Sequence, residues 1–439
     1  MTSQTGQVLP KSLDDVDPAF MTSVLRERGV ISPTDEVVSQ DERDVGMTAG
    51  YFSAIKKVAC TYREATDAQS AFVVKTWPAF EMLPRENIAA MFARDIGGYT
   101  LPADRFYPRP DVHLAACDAA EDRWCLVMDD ADSFAEHKVH ECELDLDEVL
   151  RMIPKLVSMA VEWEGCHEGP KGRLLDELGV DLWAADHNIS VYKAVMPHGA
   201  KISDRLTEMG ESPLLAGRPW SSYVGGSDLA ELFTTRIDAF YEPAHPRNGA
   251  TCTLSHGDLR GDNIFFCDDA EAYPDGWLCI DFQLLFRGPV PSDLAYMMST
   301  GTVLPEVYGG DGLQTVLRAF YDRFMDATSL YRDYSWDQFV EEFRMMSTVF
   351  YVYVVGMGAS LLQASAFENE QAARVELGDR GATEADLTPE ELRQRMWWTK
   401  FMANLGSNFA TFGLYDHLGA LPPDLDGLGE WTELPAHLR

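Results

Sequence analysis

The chain has 439 residues, of which 46% are hydrophobic and 24% are charged, and its formal net charge is −35. The apolar fraction excludes a disordered chain, and the length excludes a small disulfide scaffold. So negative a charge argues against nucleic acid or an anionic membrane as a partner, because phosphate backbones require clustered Lys and Arg side chains. A single phosphate-bearing ligand remains compatible with this charge, since backbone N–H groups, one Lys and metal ions can bind it locally.

The N-terminal part of the chain predicts one helix, then strands and a second helix. The first helix begins at Asp17-Pro18, where Pro suits the first helical turn, and ends before Gly29. Pro84 opens a pattern of apolar residues at three- and four-residue spacing, which predicts the second helix. Strands are predicted at residues 57–62, 71–77 and 124–128.

Beyond residue 132 the pattern is mainly helical, with one strand-rich island at residues 263–284. Residues 165–225, with several Gly, Pro and Trp, predict an irregular insertion. The charge-free stretch 345–367 is long enough to cross a bilayer, but its Ser, Thr, Gln and Gly residues favour a buried helix and no membrane span. Helices are predicted at residues 147–165, 228–241, 312–327, 337–367 and 388–413.

The eight cysteines are scattered, with no C-x-x-C pair and no Cys/His cluster at zinc spacing. This pattern predicts reduced thiols in a cytoplasmic protein. The N-terminus lacks a charged segment followed by an apolar stretch, so no signal peptide is predicted.

The chemical centre lies between Leu254 and Tyr296. Asp258 follows His-Gly, Asn263 comes five residues later, and two apolar strand-like runs joined by Pro-Asp-Gly lead to Asp281. Because a hairpin brings its two ends together, Asn263 and Asp281 are expected close in space. An amide oxygen and a carboxylate suit Mg²⁺ with water and phosphate oxygens, and Asp258 can accept a hydroxyl proton. Phosphoryl transfer requires such a set.

The pattern H-G-D-x-x-x-x-N followed by D-F-Q resembles the aminoglycoside and choline phosphotransferase superfamily, which has the kinase-like fold. It is most similar to the ecdysteroid-kinase-like (CHK-type) branch. Protein kinases have a related pattern, H-R-D-x-x-x-x-N followed by D-F-G. The resemblance spans residues 40–300 and implies an α+β, bilobal protein-kinase-like fold. It implies a small antiparallel-sheet N-lobe at 1–130 and a large, mainly helical C-lobe at 131–439, with the catalytic loop at 254–263 and the acceptor pocket in the C-lobe.

The resemblance also implies roles for single residues. Asp258 corresponds to the catalytic base, and Asn263 and Asp281 correspond to the magnesium ligands. Lys75, late in the strand AFVVKTW, corresponds to the lysine that holds the α- and β-phosphates of ATP. An acid on the next helix orients that lysine, and Asp95 is favoured for this role. Glu86, earlier on the same helix, stays open as the alternative.

Further roles follow from the same resemblance. Met128 and Asp129 lie on the strand that leads into the hinge, where family members bind adenine through backbone groups. The phosphate loop at 46–53 lacks a G-x-G-x-x-G pattern, and Ser53 is its candidate hydroxyl donor. His256 and Asp293 are expected to order the catalytic loop. Arg260 stands where relatives often have Trp or His, a departure that bears on either the acceptor pocket or the charge balance near the γ-phosphate.

The predicted function is an ATP- and Mg²⁺-dependent phosphotransferase that moves the γ-phosphate to a hydroxyl group of a small molecule. The resemblance favours a bulky apolar alcohol, such as a steroid, polyketide or hydroxyacyl compound. An aminoglycoside-type antibiotic kinase and a catalytically weak, pseudokinase-like binding module stay open. A protein kinase is disfavoured, because the segment from Asp281 to Asp293 is too short for a regulated activation loop. Four aromatic residues are candidates for either the acceptor pocket or the core: Trp183, Tyr192, Trp220 and Tyr223.

Overall fold

The computed structural model describes residues 8–43, 53–64, 67–77, 85–118, 121, 123–137, 144–183, 243–299, 303, 307 and 311–357. The chain divides into two compact units. The first, here called the sheet unit, comprises Met1–His137 and Phe265–Leu284. The second, the helical unit, comprises Lys138–Ile264 and Leu285–Arg439. The predicted helices at 228–241 and 388–413 lie outside the described residues.

The sheet unit is built on a five-stranded antiparallel sheet in the order β1-β2-β3-β5-β4. Helix α1 precedes it, and helix α2 connects β3 to β4. Asp17 begins α1 by accepting a hydrogen bond from the N–H of Phe20 at 2.7 Å, so both predicted helices are confirmed. The elements are α1 (Pro18–Glu27), β1 (Val37–Arg43), β2 (Ala54–Tyr62), β3 (Ala71–Thr76), α2 (Arg85–Thr100), β4 (Val112–Asp118) and β5 (Arg123–Asp129).

Strands β1 and β4 were not among the predicted strands. Strand β1, with the sequence VVSQDER, carries five polar residues in succession and lies at one edge of the sheet. Strand β4, with the sequence VHLAACD, lies at the other edge and has only three buried positions. An edge strand pairs through its backbone on one side only and needs little apolar surface, so its side-chain pattern is weak.

The hairpin predicted after Asn263 is present. Strand β8 (Ile264–Phe266) lies in the middle of a three-stranded sheet and pairs with β9 (Trp277–Cys279) on one side and with the short strand β6 (Glu136–His137) on the other. The N–H of Cys267 donates to the carbonyl of Gly276 at 3.1 Å, which closes the connection. From Phe265 to Leu284 this hairpin belongs to the sheet unit, whereas the predicted boundary at residue 130 assigned it to the C-lobe. The reason is its packing, because Phe265 and Leu278 share a core cluster with Ala131.

The helical unit contains five described helices and the antiparallel pair β7–β10. Helix α3 packs against α6, and α5 packs against α7. No helix among the described residues is long and apolar enough to cross a membrane, and α7 contains the described part of the charge-free stretch. The elements are α3 (Leu146–Glu162), α4 (Gly169–Glu177), β7 (Thr253–Ser255), β10 (Phe286–Gly288), α5 (Ser292–Ser299), α6 (Gly312–Ala327) and α7 (Trp336–Met357).

Trp183 lies in the core of the helical unit. Its ring is 4.6 Å from Phe286 and 5.2 Å from Phe350, measured between ring centroids, and only 8% of the residue is exposed. Of its two proposed roles, packing is the one that these contacts show. The other three aromatic candidates lie outside the described residues.

Glu342 on α7 joins this helix to the segment that leads into β7. Its carboxylate accepts hydrogen bonds from the N–H of Thr251 at 2.8 Å, from Oγ1 of Thr251 at 2.5 Å and from the hydroxyl of Tyr334 at 2.6 Å. We expect Glu342→Gln to lower the free energy of unfolding by about 1–3 kcal/mol, because the Gln amide turns a donor towards groups that are themselves donors. Urea denaturation measures this, and Glu341→Gln, at the exposed neighbouring position, is the matched control.

The same carboxylate predicts a pH dependence. Burial raises the pKa of Glu342, and the hydrogen bonds from Thr251 and Tyr334 oppose this only in part. The folded state therefore binds the proton more tightly than the unfolded state, and stability falls as pH rises from the ordinary carboxyl pKa through the raised value. The difference in stability between wild type and Glu342→Gln should narrow over that interval. A difference that widens with pH would contradict this assignment.

Candidate active site

Lys75 lies at the centre of a buried cluster of charges in the sheet unit. Its Nζ is 2.8 Å from Oδ1 of Asp281 and 3.4 Å from Oδ2 of Asp95. The side chains of Lys75 and Asp95 are each 5% exposed, and that of Asp281 is 22% exposed. Burial lowers the pKa of Lys75, but the carboxylates of Asp281 and Asp95 raise it by more, so the net pKa lies above its usual value. The ammonium group therefore stays charged.

Asp95 occupies the position that was favoured for the partner of the lysine. Burial raises the pKa of Asp95 above the ordinary range, while Lys75 pulls it back in part. The alternative partner, Glu86, lies in the first turn of α2 and is exposed. The structure thus brings Lys75 together with Asp95, although Asp281 is the nearer carboxylate.

Helix α2 holds the D-F-Q turn, residues 281–283, through three contacts. Asp95 Oδ1 accepts a hydrogen bond from the N–H of the Phe at 2.9 Å. The hydroxyl of Tyr99, one turn further along α2, accepts from the N–H of the Asp at 3.2 Å. Nε of Arg94 donates to the carbonyl of the Gln at 2.9 Å. The position of the turn is therefore determined by the same helix that pairs with Lys75.

Asp281 has an uncommon backbone conformation. Its φ is +73°, and it is the only residue other than glycine with a positive φ in the described part of the chain. This left-handed conformation is disfavoured for a side chain with a Cβ and is found at functional sites, where surrounding contacts maintain it. Its Oδ2 accepts a hydrogen bond from Nε2 of Gln283 at 3.0 Å. Both carboxylate oxygens of Asp281 are thus oriented from within the sheet unit.

Asp258 lies in the helical unit, in the loop between β7 and β8, and is 6% exposed. Its Oδ1 accepts a hydrogen bond from the hydroxyl of Tyr296 at 2.6 Å and lies 3.2 Å from Nε of Arg260. Arg260 also pairs with Asp262, at 2.9 Å. The guanidinium of Arg260 therefore lies between two carboxylates of the catalytic loop. A positive charge at position 260 compensates their negative charges.

The backbone of the catalytic loop is tied to helix α5. Asp293 accepts a hydrogen bond from the N–H of His256 at 3.1 Å and another from the N–H of Gly257 at 3.3 Å. His256 is fully buried, and its Nδ1 accepts from the N–H of Asp258 at 3.2 Å. Gly257 has a φ of +82°, which favours glycine at this turn. These contacts orient the peptide groups on both sides of the turn that presents Asp258.

Asn263 is the last residue of the catalytic loop and is 6% exposed. Its Nδ2 donates to the backbone carbonyl of Asp258 at 2.8 Å, so its side-chain oxygen is the end that can face a cation. An amide oxygen and the partly exposed carboxylate of Asp281 are hard ligands that fit Mg²⁺. Among the described residues, no group of three or more His, Cys, Asp or Glu side chains is arranged to hold a metal ion. That Asn263 and Asp281 bind one Mg²⁺ ion together stays a prediction from the sequence.

The predicted adenine and phosphate-loop residues are less well defined by their contacts. Met128 lies on β5 and is 2% exposed. The N–H of Asp129 donates to the carbonyl of Asp111 at 2.9 Å, and its carboxylate is 2.7 Å from Nε2 of His113. This N–H is therefore already used within the sheet unit. Ser53 precedes β2 and is half-buried, and the rest of the predicted loop lies outside the described residues.

Four residues that contact the site had no role in the sequence prediction: Arg94, Tyr99, Gln283 and Tyr296. Tyr296 follows Asp293 by three residues on a helix, a spacing that puts both on one face. Tyr99 follows Asp95 by four residues in the same way. This spacing is the signal that could have identified the two tyrosines. Gln283 was quoted only as part of the D-F-Q motif.

Comparison with known proteins matches one segment of the chain to a family. Residues 215–330, about a quarter of the chain, match the ecdysteroid kinase-like family. That segment includes Asp258, Asn263, Asp281 and Asp293. No curated protein matches the chain.

Several solved structures are similar to the chain at low identity. The GDP complex of a mutant aminoglycoside 2'-phosphotransferase-IIIa is 12% identical with a TM-score of 0.43, and the match covers 88% of this chain and 100% of that one. An ethanolamine kinase from Plasmodium vivax is 11% identical with a TM-score of 0.41, and the match covers 83% and 86%. An aminoglycoside-3'-phosphotransferase of type VIII is 16% identical with a TM-score of 0.34, and the match covers 69% and 93%.

The family match covers residues 215–330 and characterises that segment as ecdysteroid kinase-like. The antiparallel sheets and the helices confirm the predicted α+β class. The predicted resemblance to the ecdysteroid kinase-like family is therefore confirmed for the segment that contains residues 254–263.

Proposed function

We propose that the protein is a small-molecule kinase that transfers the γ-phosphate of ATP to a hydroxyl group. The observation that carries this proposal is the buried cluster of Lys75 with Asp95 and Asp281. Removing three charges from water is costly, and a buried ion pair is weak evidence for a gain in stability. This cluster includes Asp281, whose backbone is left-handed. It is better explained as a phosphate and metal site that is held ready for its ligand.

The roles of the individual residues follow from their chemistry. Asp258 accepts the proton of the acceptor hydroxyl, and Lys75 neutralises charge on the phosphates. Asn263 and Asp281 are proposed to hold Mg²⁺, which supplies further neutralisation of phosphate charge when bound. The pairing of these two residues at one ion rests on the sequence pattern. Asp95 orients Lys75, and Met128, Asp129 and Ser53 are proposed to contact the nucleotide.

For the acceptor we propose a bulky apolar alcohol, and two features support this class. One is the match of residues 215–330 to the ecdysteroid kinase-like family. The other is the aromatic surrounding of the catalytic carboxylate: the ring of Tyr296, which contacts Asp258, lies 4.8 Å from that of Phe350. A screen of hydroxyl compounds, read by mass spectrometry of the phosphorylated products, tests the class. Phosphorylation of aminoglycosides alone would favour the antibiotic-kinase alternative.

Nucleotide binding is expected to depend strongly on a divalent metal. The chain carries a net charge of −35, and Asp95 and Asp281 flank the one lysine of the site. Free ATP would therefore meet two carboxylates that the single ammonium group of Lys75 does not fully neutralise. We expect calorimetry to show ATP affinity at least about tenfold weaker without Mg²⁺, equivalent to about 1.4 kcal/mol. GTP should be titrated beside ATP, because Lys75 binds phosphates and does not distinguish the bases.

Asp281→Asn is the variant that links this dependence to the site. It removes the carboxylate that binds the cation, and the effect of Mg²⁺ on affinity should shrink accordingly. Equal ATP affinity with and without Mg²⁺ in the wild type would count against the assignment of Asn263 and Asp281. Tight nucleotide binding without turnover of any acceptor would favour the pseudokinase-like alternative.

The compartment is part of the proposal. The cysteines in the described residues form no disulfide with one another. Thiols that stay reduced are typical of the cytoplasm, and we propose this location.

A further inference from the structure

Among the residues that the structure describes, two side chains contact the carboxylate of Asp258, and both contact the same oxygen. The hydroxyl of Tyr296 donates to Oδ1 of Asp258 at 2.6 Å, and Nε of Arg260 lies 3.2 Å from the same atom. In the part of the chain that the structure describes, the side-chain contacts of Asp258 thus converge on Oδ1. We propose that Tyr296 is a positioning residue that anchors Oδ1 of Asp258 and presents Oδ2 to the acceptor hydroxyl. This inference rests on the proposed kinase function.

Tyr296 is itself held in place from two directions. Its ring packs edge-on against Phe350, with centroids 4.8 Å apart and planes at 83°. It lies on α5, three residues after Asp293, and Asp293 accepts hydrogen bonds from the backbone of residues 256 and 257. One face of a single helix therefore orients both the backbone of the catalytic loop and the side chain of its Asp. Because Tyr296 is only 3% exposed, water does not compete freely for its hydroxyl.

The proton balance assigns different tasks to the two oxygens. The hydroxyl of Tyr296 keeps its own proton and donates it in a hydrogen bond to Oδ1. The acceptor alcohol loses its proton to Oδ2 as its oxygen bonds to the γ-phosphorus, and the bond from that phosphorus to the bridging oxygen breaks to leave ADP. A carboxylate without the anchor could rotate about its terminal torsion, which is soft. Oδ2 would then spend less time in line with the alcohol.

The size of the effect follows from the type of bond. A short hydrogen bond to an ionised, buried acceptor is stronger than a neutral one, and losing it corresponds to about a tenfold to hundredfold change in an equilibrium or a rate. Tyr296→Phe removes only the hydroxyl and keeps the ring against Phe350. We therefore expect kcat to fall by about tenfold or more, with the KM for ATP unchanged.

Tyr321→Phe is the matched control for this experiment. It removes the same atom from the same unit, where the hydroxyl of Tyr321 donates to the carbonyl of Tyr334 at 2.9 Å. Both variants should shift Tm by similar small amounts, and only Tyr296→Phe should lower kcat. A kcat for Tyr296→Phe equal to that of the control would overturn the proposal, as would a change confined to KM.

A crystal structure of Tyr296→Phe gives a readout that needs no turnover. We expect the Asp258 carboxylate to rotate away from the orientation that it has beside Tyr296. A carboxylate that keeps its orientation, held by Arg260 alone, would overturn the positioning role. If the wild-type protein transfers phosphate to no acceptor, the proposed function is refuted. The orientation of the Asp258 carboxylate in the variant would still test the role of Tyr296.

Discussion

Asp258→Asn is expected to lower kcat by about a thousandfold while leaving nucleotide affinity within about twofold. The substitution keeps the shape of the side chain, and the amide oxygen can still accept the hydrogen bond from Tyr296. An amide cannot accept a proton from the alcohol, so the chemical step loses its base. The ion pair with Arg260 also weakens, but that group lies in the loop and not among the residues proposed to bind ATP.

The measurement is steady-state ADP release with an accepted alcohol, together with calorimetric ATP binding. Asp268→Asn is the matched control, because this substitution makes the same chemical change at an exposed position after β8. Its kcat should equal that of the wild type. Turnover by Asp258→Asn at the rate of this control would refute the role of Asp258 as the base.

Lys75→Met should damage both catalysis and stability. The neutral side chain leaves the carboxylates of Asp95 and Asp281 buried together without their cation. Removing one partner of a buried ion pair costs about 3–5 kcal/mol, and the partial exposure of Asp281 puts the expected loss at the lower end. The phosphates also lose their positive contact, so kcat/KM for ATP should fall by about a hundredfold or more.

A second substitution separates the two effects. Lys75→Met combined with Asp95→Asn removes one of the two unpaired carboxylates and should recover part of the free energy of unfolding. Catalysis should not recover, because the phosphate contact is still missing. Chemical denaturation and ATP turnover of the single and double variants provide the comparison. Recovery of activity in the double variant would show that Lys75 acts on folding and does not act on phosphate.

The local sequence was enough to predict the hairpin and the strand that carries Lys75. A Pro-Asp-Gly turn between two apolar runs specifies a hairpin through short-range chemistry. Lys75 was predicted as a site residue because its charge interrupts an apolar strand. Strand β3 is indeed buried at every position. Strands β1 and β4 were harder to predict, because edge strands depend on backbone pairing with neighbours that are distant in the sequence.

Local patterns show which residues share a helix face with the site residues, but they do not specify the contacts that orient the site. Tyr296 contacts Asp258 across 38 residues of sequence, and Tyr99 contacts the backbone of Asp281 across 182. Each tyrosine looks like a core residue in its own helix, and helical periodicity only shows which face it shares with its neighbours. The preference of Lys75 for Asp281 over Asp95 likewise depends on an approach of a few tenths of an ångström, which no spacing rule supplies.

By itself, the sequence predicted the chemistry of the site: a carboxylate base, an amide and a carboxylate for a metal, and a lysine in an apolar strand. These are properties of residue types and short spacings, and they require only local turns and strands. Only the tertiary structure decided which oxygen of Asp258 is anchored, which carboxylate meets Lys75, and that Asp281 adopts a left-handed backbone. Those outcomes depend on hydrogen bonds between distant segments, which form only when helices α2 and α5 have packed in place.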